Sequence, residues 1–117
     1  MKIVVYGTES DKCELLKAFA CLPGYSYRDI RLSAFPDYDS FITGLGGEPP
    51  ELIVIAADGA AGMEGVIAAR NTLAGVPVIW LSDDGGFGAQ SYRLGCSYFH
   101  KKPVSPEILL SAMAKCV

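Results

Sequence analysis

The sequence predicts a doubly wound α/β fold: five βα units around one parallel sheet, with helices on both faces. Three observations carry that prediction. Short β-branched runs alternate with longer amphipathic stretches along the whole chain. Two of those runs, Leu52-Ile53-Val54-Ile55-Ala56-Ala57 and Pro77-Val78-Ile79-Trp80-Leu81, are apolar without alternation, as strands covered on both faces are. No linker, repeat or low-complexity segment interrupts the series, so the 117 residues form a single domain. Right-handed crossovers between parallel strands then place helices on both sides.

The elements follow in order. Lys2–Tyr6 is the first strand. A helix over residues 10–22, with Thr8 or Ser10 as N-cap, turns Leu15, Leu16, Ala18 and Phe19 inward and ends at Pro23-Gly24. Residues 29–34 form a strand whose hydrophobicity Arg31 and Ser33 interrupt, which suits a sheet edge. Pro36 opens a short helix through Phe41 and Leu45, stopped by Gly46-Gly47 and Pro49-Pro50. The third strand, residues 52–57, leads into a Gly-rich, pliable loop at 59–62 and a helix over 63–73. Residues 77–81 are the fourth strand, and a polar loop at 82–88 precedes a short helix through Ala89, Tyr92 and Leu94 that stops at Gly95. Tyr98 and Phe99 mark the fifth strand, which Pro103 breaks. Ser105 caps a last helix to Lys115, with Ile108, Leu109, Leu110 and Met113 inward.

Composition narrows the function. Half the residues are hydrophobic and a fifth are charged, enough apolar material for a packed core without disulfides or metals. Ten basic against thirteen acidic residues give a net charge of −3, and no basic run appears, which argues against direct nucleic-acid binding. Cys13, Cys21, Cys96 and Cys116 form no C-x-x-C pair, and His100 is the one histidine, so a Cys/His zinc site is not expected. The first strand follows Met1 directly, and no apolar run has the length of a bilayer. A cytoplasmic protein with reduced thiols and no membrane contact is the expectation.

In a doubly wound sheet the ligand site lies at the carboxyl ends of the strands. Those ends are the loops at 6–10, 57–62, 82–88 and 100–103. The last segment, Gly95-Cys96-Ser97-Tyr98-Phe99-His100-Lys101-Lys102-Pro103-Val104-Ser105-Pro106-Glu107, resembles the end of a response-regulator receiver domain. Its Lys-Pro-Val-Ser-Pro-Glu ending looks most like receivers of the LytR/AlgR (LytTR) type. Gly62-Met63-Glu64-Gly65 resembles the Gly-Met-Asp-Gly that follows the phosphorylation loop in that family. Pro77-Val78-Ile79-Trp80-Leu81-Ser82 resembles its fourth strand, which ends in a switch hydroxyl. The resemblance spans essentially the whole chain and implies the strand order 2-1-3-4-5 of the receiver, or flavodoxin-like, fold.

It also implies a set of site residues. The phosphoacceptor aspartate of a working receiver falls at Ala57, whose methyl group cannot be phosphorylated. The paired acids that hold Mg²⁺ fall at Gly7 and Thr8, with Glu9 beyond them. The switch hydroxyl is Ser82, the switch aromatic Phe99 and the lysine Lys102, while Asp83, beside Ser82, would repel an incoming phosphoryl group. The sequence therefore reads as a pseudo-receiver, a non-enzymatic module of two-component, phosphorelay-type signalling that has no cofactor. The alternative is an active receiver phosphorylated with Mg²⁺ at Asp58, one residue beyond the acceptor position. Without a phosphoryl partner, Lys102 is expected to pair with Asp58, Glu9 or Asp83. By the same resemblance such domains regulate transcription through a DNA-binding effector domain outside this chain. They bind protein partners or themselves through the fourth helix, fifth strand and fifth helix, where Tyr92, Arg93, Tyr98, His100 and Lys101 look exposed.

Other motifs carry less. Asp83-Asp84 in a Gly-rich loop lacks the rigidity of an acid/base pair. Ser82 and His100 have neither a nucleophile elbow nor an orienting acid. Trp80 sits in a buried-strand pattern and reads as core. Val4-Val5-Tyr6-Gly7-Thr8-Glu9-Ser10 resembles the phosphate loop of flavodoxin-like FMN domains, where Thr8 and Ser10 would serve a phosphate. Glu9 and Asp11 bring the wrong charge for it.

Overall fold

The computed structural model describes residues 1–22 and 29–116. Five parallel strands lie in the order β2-β1-β3-β4-β5. They are β1 (Lys2–Tyr6), β2 (Arg31–Phe35), β3 (Leu52–Ile55), β4 (Val78–Ser82) and β5 (Tyr98–Lys101). The helices are α1 (Glu9–Ala20), α2 (Tyr38–Leu45), α3 (Gly59–Thr72), α4 (Gly88–Arg93) and α5 (Pro106–Lys115), with a 3₁₀ turn at Gly85–Phe87. The interrupted strand β2 is at an edge, and the two uninterrupted apolar runs, β3 and β4, are interior.

Side-chain alternation along the strands divides the core into two layers. On one side Ile3, Val5, Val54, Ala56, Ile79 and Leu81 pack on Leu15 and Phe19 of α1 and Leu109 and Met113 of α5. On the other, Val4, Tyr6, Ile53, Ile55, Val78 and Trp80 pack on Phe41 and Leu45 of α2 and Val66 and Ala69 of α3. Trp80 is fully buried, with Phe87 and Phe99 each 5.3 Å from it between ring centroids.

Several boundaries differ from the sequence expectation. Thr8 is the N-cap of α1, which starts at Glu9. The helix closes at Ala20, where the Cys21 N–H turns back to the Ala18 and Phe19 carbonyls, and Pro23-Gly24 lies outside the described residues. Residues 59–62, expected as a pliable loop, form the first turn of α3. Ala60 and Ala61 favour helix, and Gly62 is there for room: a Cβ on it would collide with the Ala57 carbonyl oxygen and lie 3.0 Å from Trp80 Nε1. In α5 the inward stripe is Leu109, Ala112 and Met113. Leu110, expected inward, is 47% exposed because one residue of helical rotation carries it off that stripe.

Candidate functional site

The carboxyl ends of β1, β3 and β5 meet at one side chain, Lys102. β5 ends at Lys101, and the Lys102 N–H still bonds the Ser82 carbonyl at 2.8 Å, just before a cis Lys102–Pro103 peptide. Its ammonium donates to Asp58 Oδ1 at 3.0 Å, to Asp11 Oδ1 at 3.3 Å and to the Ala56 carbonyl. An ammonium has three protons, and here each has an acceptor. Burial by itself lowers the Lys102 pKa. The hydrogen bond donated to Asp58 and the charges of Asp11 and Asp58 outweigh it, and the net shift is upward. Beneath the cluster a cavity of about 10 Å³ is lined by Asp11, Ala56, Leu81 and Lys102, the space of about one water.

Asp11 was not among the residues expected to partner Lys102. Its carboxylate closes a capping box: Oδ2 accepts from the Thr8 N–H at 2.9 Å and the Thr8 hydroxyl at 3.0 Å, and the Asp11 N–H donates to Thr8 Oγ1. That box folds the carboxylate back over Gly7. A Cβ at Gly7 would stand 2.8 Å from Asp11 Oδ2 and 3.1 Å from Ala56 Cβ. An acid from the first turn of α1 thus fills the space that a side chain at position 7 would take. The signal was in the sequence, as the Thr8-x-x-Asp11 spacing. Of the three partners expected for Lys102, only Asp58 is one. Glu9, the first residue of α1, is exposed, and Asp83 turns to α3.

The remaining expected residues divide between the two sides of the sheet. Ala57 packs with the α2–α3 layer, while the next residue, Asp58, turns back to Lys102. Ser82 is fully buried; its Oγ accepts from the Asp84 N–H at 3.1 Å and lies 3.5 Å from Asp83 Oδ1. Asp83 Oδ1 also accepts from the Gly59 N–H at 3.3 Å. Asp84 caps the 3₁₀ turn through the Gly86 N–H at 2.8 Å. Phe99 packs edge-on against Trp80.

Tyr92, Arg93 and Lys101 are exposed as expected. Tyr98 and His100, expected exposed, are half-buried and stacked on each other with ring centroids 6.3 Å apart. Alternation along β5 turns them together to the face opposite Phe99, where Tyr98 packs with the α1–α5 layer.

The fit of two ligands can be read from these contacts. A divalent cation needs carboxylate oxygens turned to the metal, whereas here Asp11 and Asp58 both face an ammonium. The pocket as built does not fit Mg²⁺. Among the described residues no group of three His, Cys, Asp or Glu side chains is placed to hold a metal. A phosphate in the first loop would need the N–H and hydroxyl of Thr8, which Asp11 takes.

No family model matches the sequence, and no curated protein matches it. Solved structures do match. The chain superposes on a response regulator from Thermotoga maritima with a TM-score of 0.77, at 17% identity, covering 98% of this chain and 95% of that one. The fold is that of a response-regulator receiver domain. An orphan response regulator of H. pylori gives the same TM-score at 11% identity, covering 100% and 97% of the two chains. A structure described as a CpaE2 pilus assembly protein of Sinorhizobium meliloti 1021 gives 0.68 at 23% identity, over 100% of both chains. Among the described residues, no helix of this receiver fold is long and apolar enough to cross a membrane.

Proposed function

We propose that the chain is a degenerate, LytTR-like receiver, a pseudo-receiver that signals by protein contact without phosphorylation and without enzymatic activity. The observation that carries this reading is the methyl group of Ala57 at the acceptor position on the Ser82 side of the sheet. The carboxylate of the next residue, Asp58, is held by Lys102 at 3.0 Å. Phosphoryl transfer needs an in-line nucleophile and a positioned metal. An aspartate engaged by an ammonium, beside an Asp11 engaged by the same ammonium, supplies neither. The contact surface in this reading is α4 with the β5 edge, where Tyr92 is 88% exposed beside Arg93.

Regulation of transcription, as the N-terminal regulatory domain of a longer regulator, is the setting this reading takes. A second setting, contact within a pilus-assembly machine, is favoured by the match to the CpaE2 structure over the full length of both chains. Crosslinking in the native host separates the two by the partner caught.

The test of the reading is intact-mass measurement after incubation with Mg²⁺ and acetyl phosphate, for the wild type and Asp58→Asn. No adduct on the wild type is expected. An adduct that Asp58→Asn abolishes would return the protein to the phosphorelay, with Asp58 as acceptor.

A further inference from the structure

Three of the longer helices, α1, α2 and α5, begin the same way: the N-cap side chain, Thr8, Asp37 or Ser105, accepts an N–H of the first turn. In α3 the N-cap is Asp58, an excellent capping residue, and its side chain makes no cap hydrogen bond. Its carboxylate has gone to Lys102. The anion that meets the first turn of α3 comes from another loop. Asp83 Oδ1 accepts the Gly59 N–H at 3.3 Å.

The same oxygen faces a second donor. The Ser82 hydroxyl is fully buried and its oxygen already accepts the Asp84 N–H. Its proton therefore points outward from that bond, and Asp83 Oδ1 lies 3.5 Å away. One carboxylate oxygen thus collects a backbone N–H from the β3–α3 loop and a hydroxyl from the end of β4. The sheet makes this meeting local, because β3 and β4 are neighbours with Ile55 opposite Trp80.

We infer that the Asp83 carboxylate is the resident anion of this pocket, capping α3 from the β4–α4 loop and fixing the loop of Ser82 against the loop of Ala57. This rests on the pseudo-receiver reading and gives it a physical device. The domain needs no phosphoryl group to hold its switch hydroxyl because an internal carboxylate does so. A tethered anion is present at a constant, high effective concentration, so a free oxyanion of ordinary concentration does not displace it. Release of Asp83 frees the Gly59 N–H at the N-terminus of α3, where an anion is favoured, and the Ser82 hydroxyl at the end of β4.

The test is amide hydrogen exchange at Gly59 by NMR for the wild type, Asp83→Ala and Asp83→Asn, with and without inorganic phosphate. Asp83 is exposed, and the Trp80 emission spectrum checks that each variant keeps its core. Asp83→Ala is expected to speed Gly59 exchange roughly fivefold, with Asp83→Asn between it and the wild type. Phosphate is expected to slow exchange in Asp83→Ala and to leave the wild type unchanged. The inference is overturned if Gly59 exchanges alike in Asp83→Ala and the wild type, or if phosphate acts alike on both. A phosphoryl adduct on Asp58 in the mass experiment would remove the pseudo-receiver reading and leave the Gly59 result to stand by itself.

Discussion

Replacing Lys102 with Met keeps the aliphatic stem and removes the ammonium, so the loss measures the charge contacts alone. Those contacts are unequal. Asp58 is 56% exposed, and its pair with Lys102 counts as a surface ion pair of roughly 0.5 kcal/mol. Asp11 is only 17% exposed against 23% for Lys102, and a charge-assisted hydrogen bond in that setting contributes about 1.5 kcal/mol. The Ala56 carbonyl also loses its donor, softened by the small cavity beside it. The expected cost is about 2 kcal/mol, or roughly 8 °C in Tm for a domain of this size. Urea unfolding followed by the fluorescence of Trp80, the single tryptophan, reads it directly. A double-mutant cycle with Asp11→Asn is expected to give a coupling of about 1 kcal/mol.

The same variant has a pH signature. The folded pKa of Lys102 lies above the ordinary lysine value of 10.5. Its stabilisation is therefore complete below that value and is lost as pH rises through the folded one. The difference between wild type and Lys102→Met is expected to stay flat from about pH 7 to about pH 9 and to shrink above 10.5. Contributions from Cys96 and Cys116 are common to both proteins and cancel in that difference. A Lys102→Met protein within roughly 0.5 kcal/mol of the wild type, or a cycle without coupling, would refute the three-way contact.

Two further outcomes follow from packing. Gly62→Ala forces a methyl group against the Ala57 backbone carbonyl and Trp80 Nε1 of β4, and is expected to cost about 1–3 kcal/mol with a shifted Trp80 emission. A neutral result in urea unfolding would mean that α3 can slide. Burial pushes the Cys96 thiol up to about 11, against the opposing charge of Arg70, while Cys13 and Cys21 are exposed. Thiol labelling at pH 8 with mass readout is expected to modify Cys13 and Cys21 first and Cys96 more slowly. Labelling of Cys96 at the rate of Cys13 would contradict its burial.

The sequence by itself determined the fold class, the strand order implied by the receiver resemblance and the buried pair β3 and β4. Apolar runs without alternation can be satisfied only between two helical layers. Thr8, Ser82, Asp58 and Lys102 were likewise legible, because loops at strand ends in a doubly wound sheet have a fixed place. What the sequence left open was pairing. Lys102 had three carboxylates within plausible reach along the loops, and the choice of Asp58 with Asp11 depended on the capping box that bends Asp11 over Gly7. The helical turn at 59–62 and the burial of Tyr98 against His100 also escaped local reading. Propensity is blind to the close approach at Gly62, and exposure on β5 depends on which face each residue turns to. Local patterns set the elements. The partners of a long charged side chain are set only when the loops of several strands are brought to the same end of the sheet, since its reach of several ångströms spans all of them.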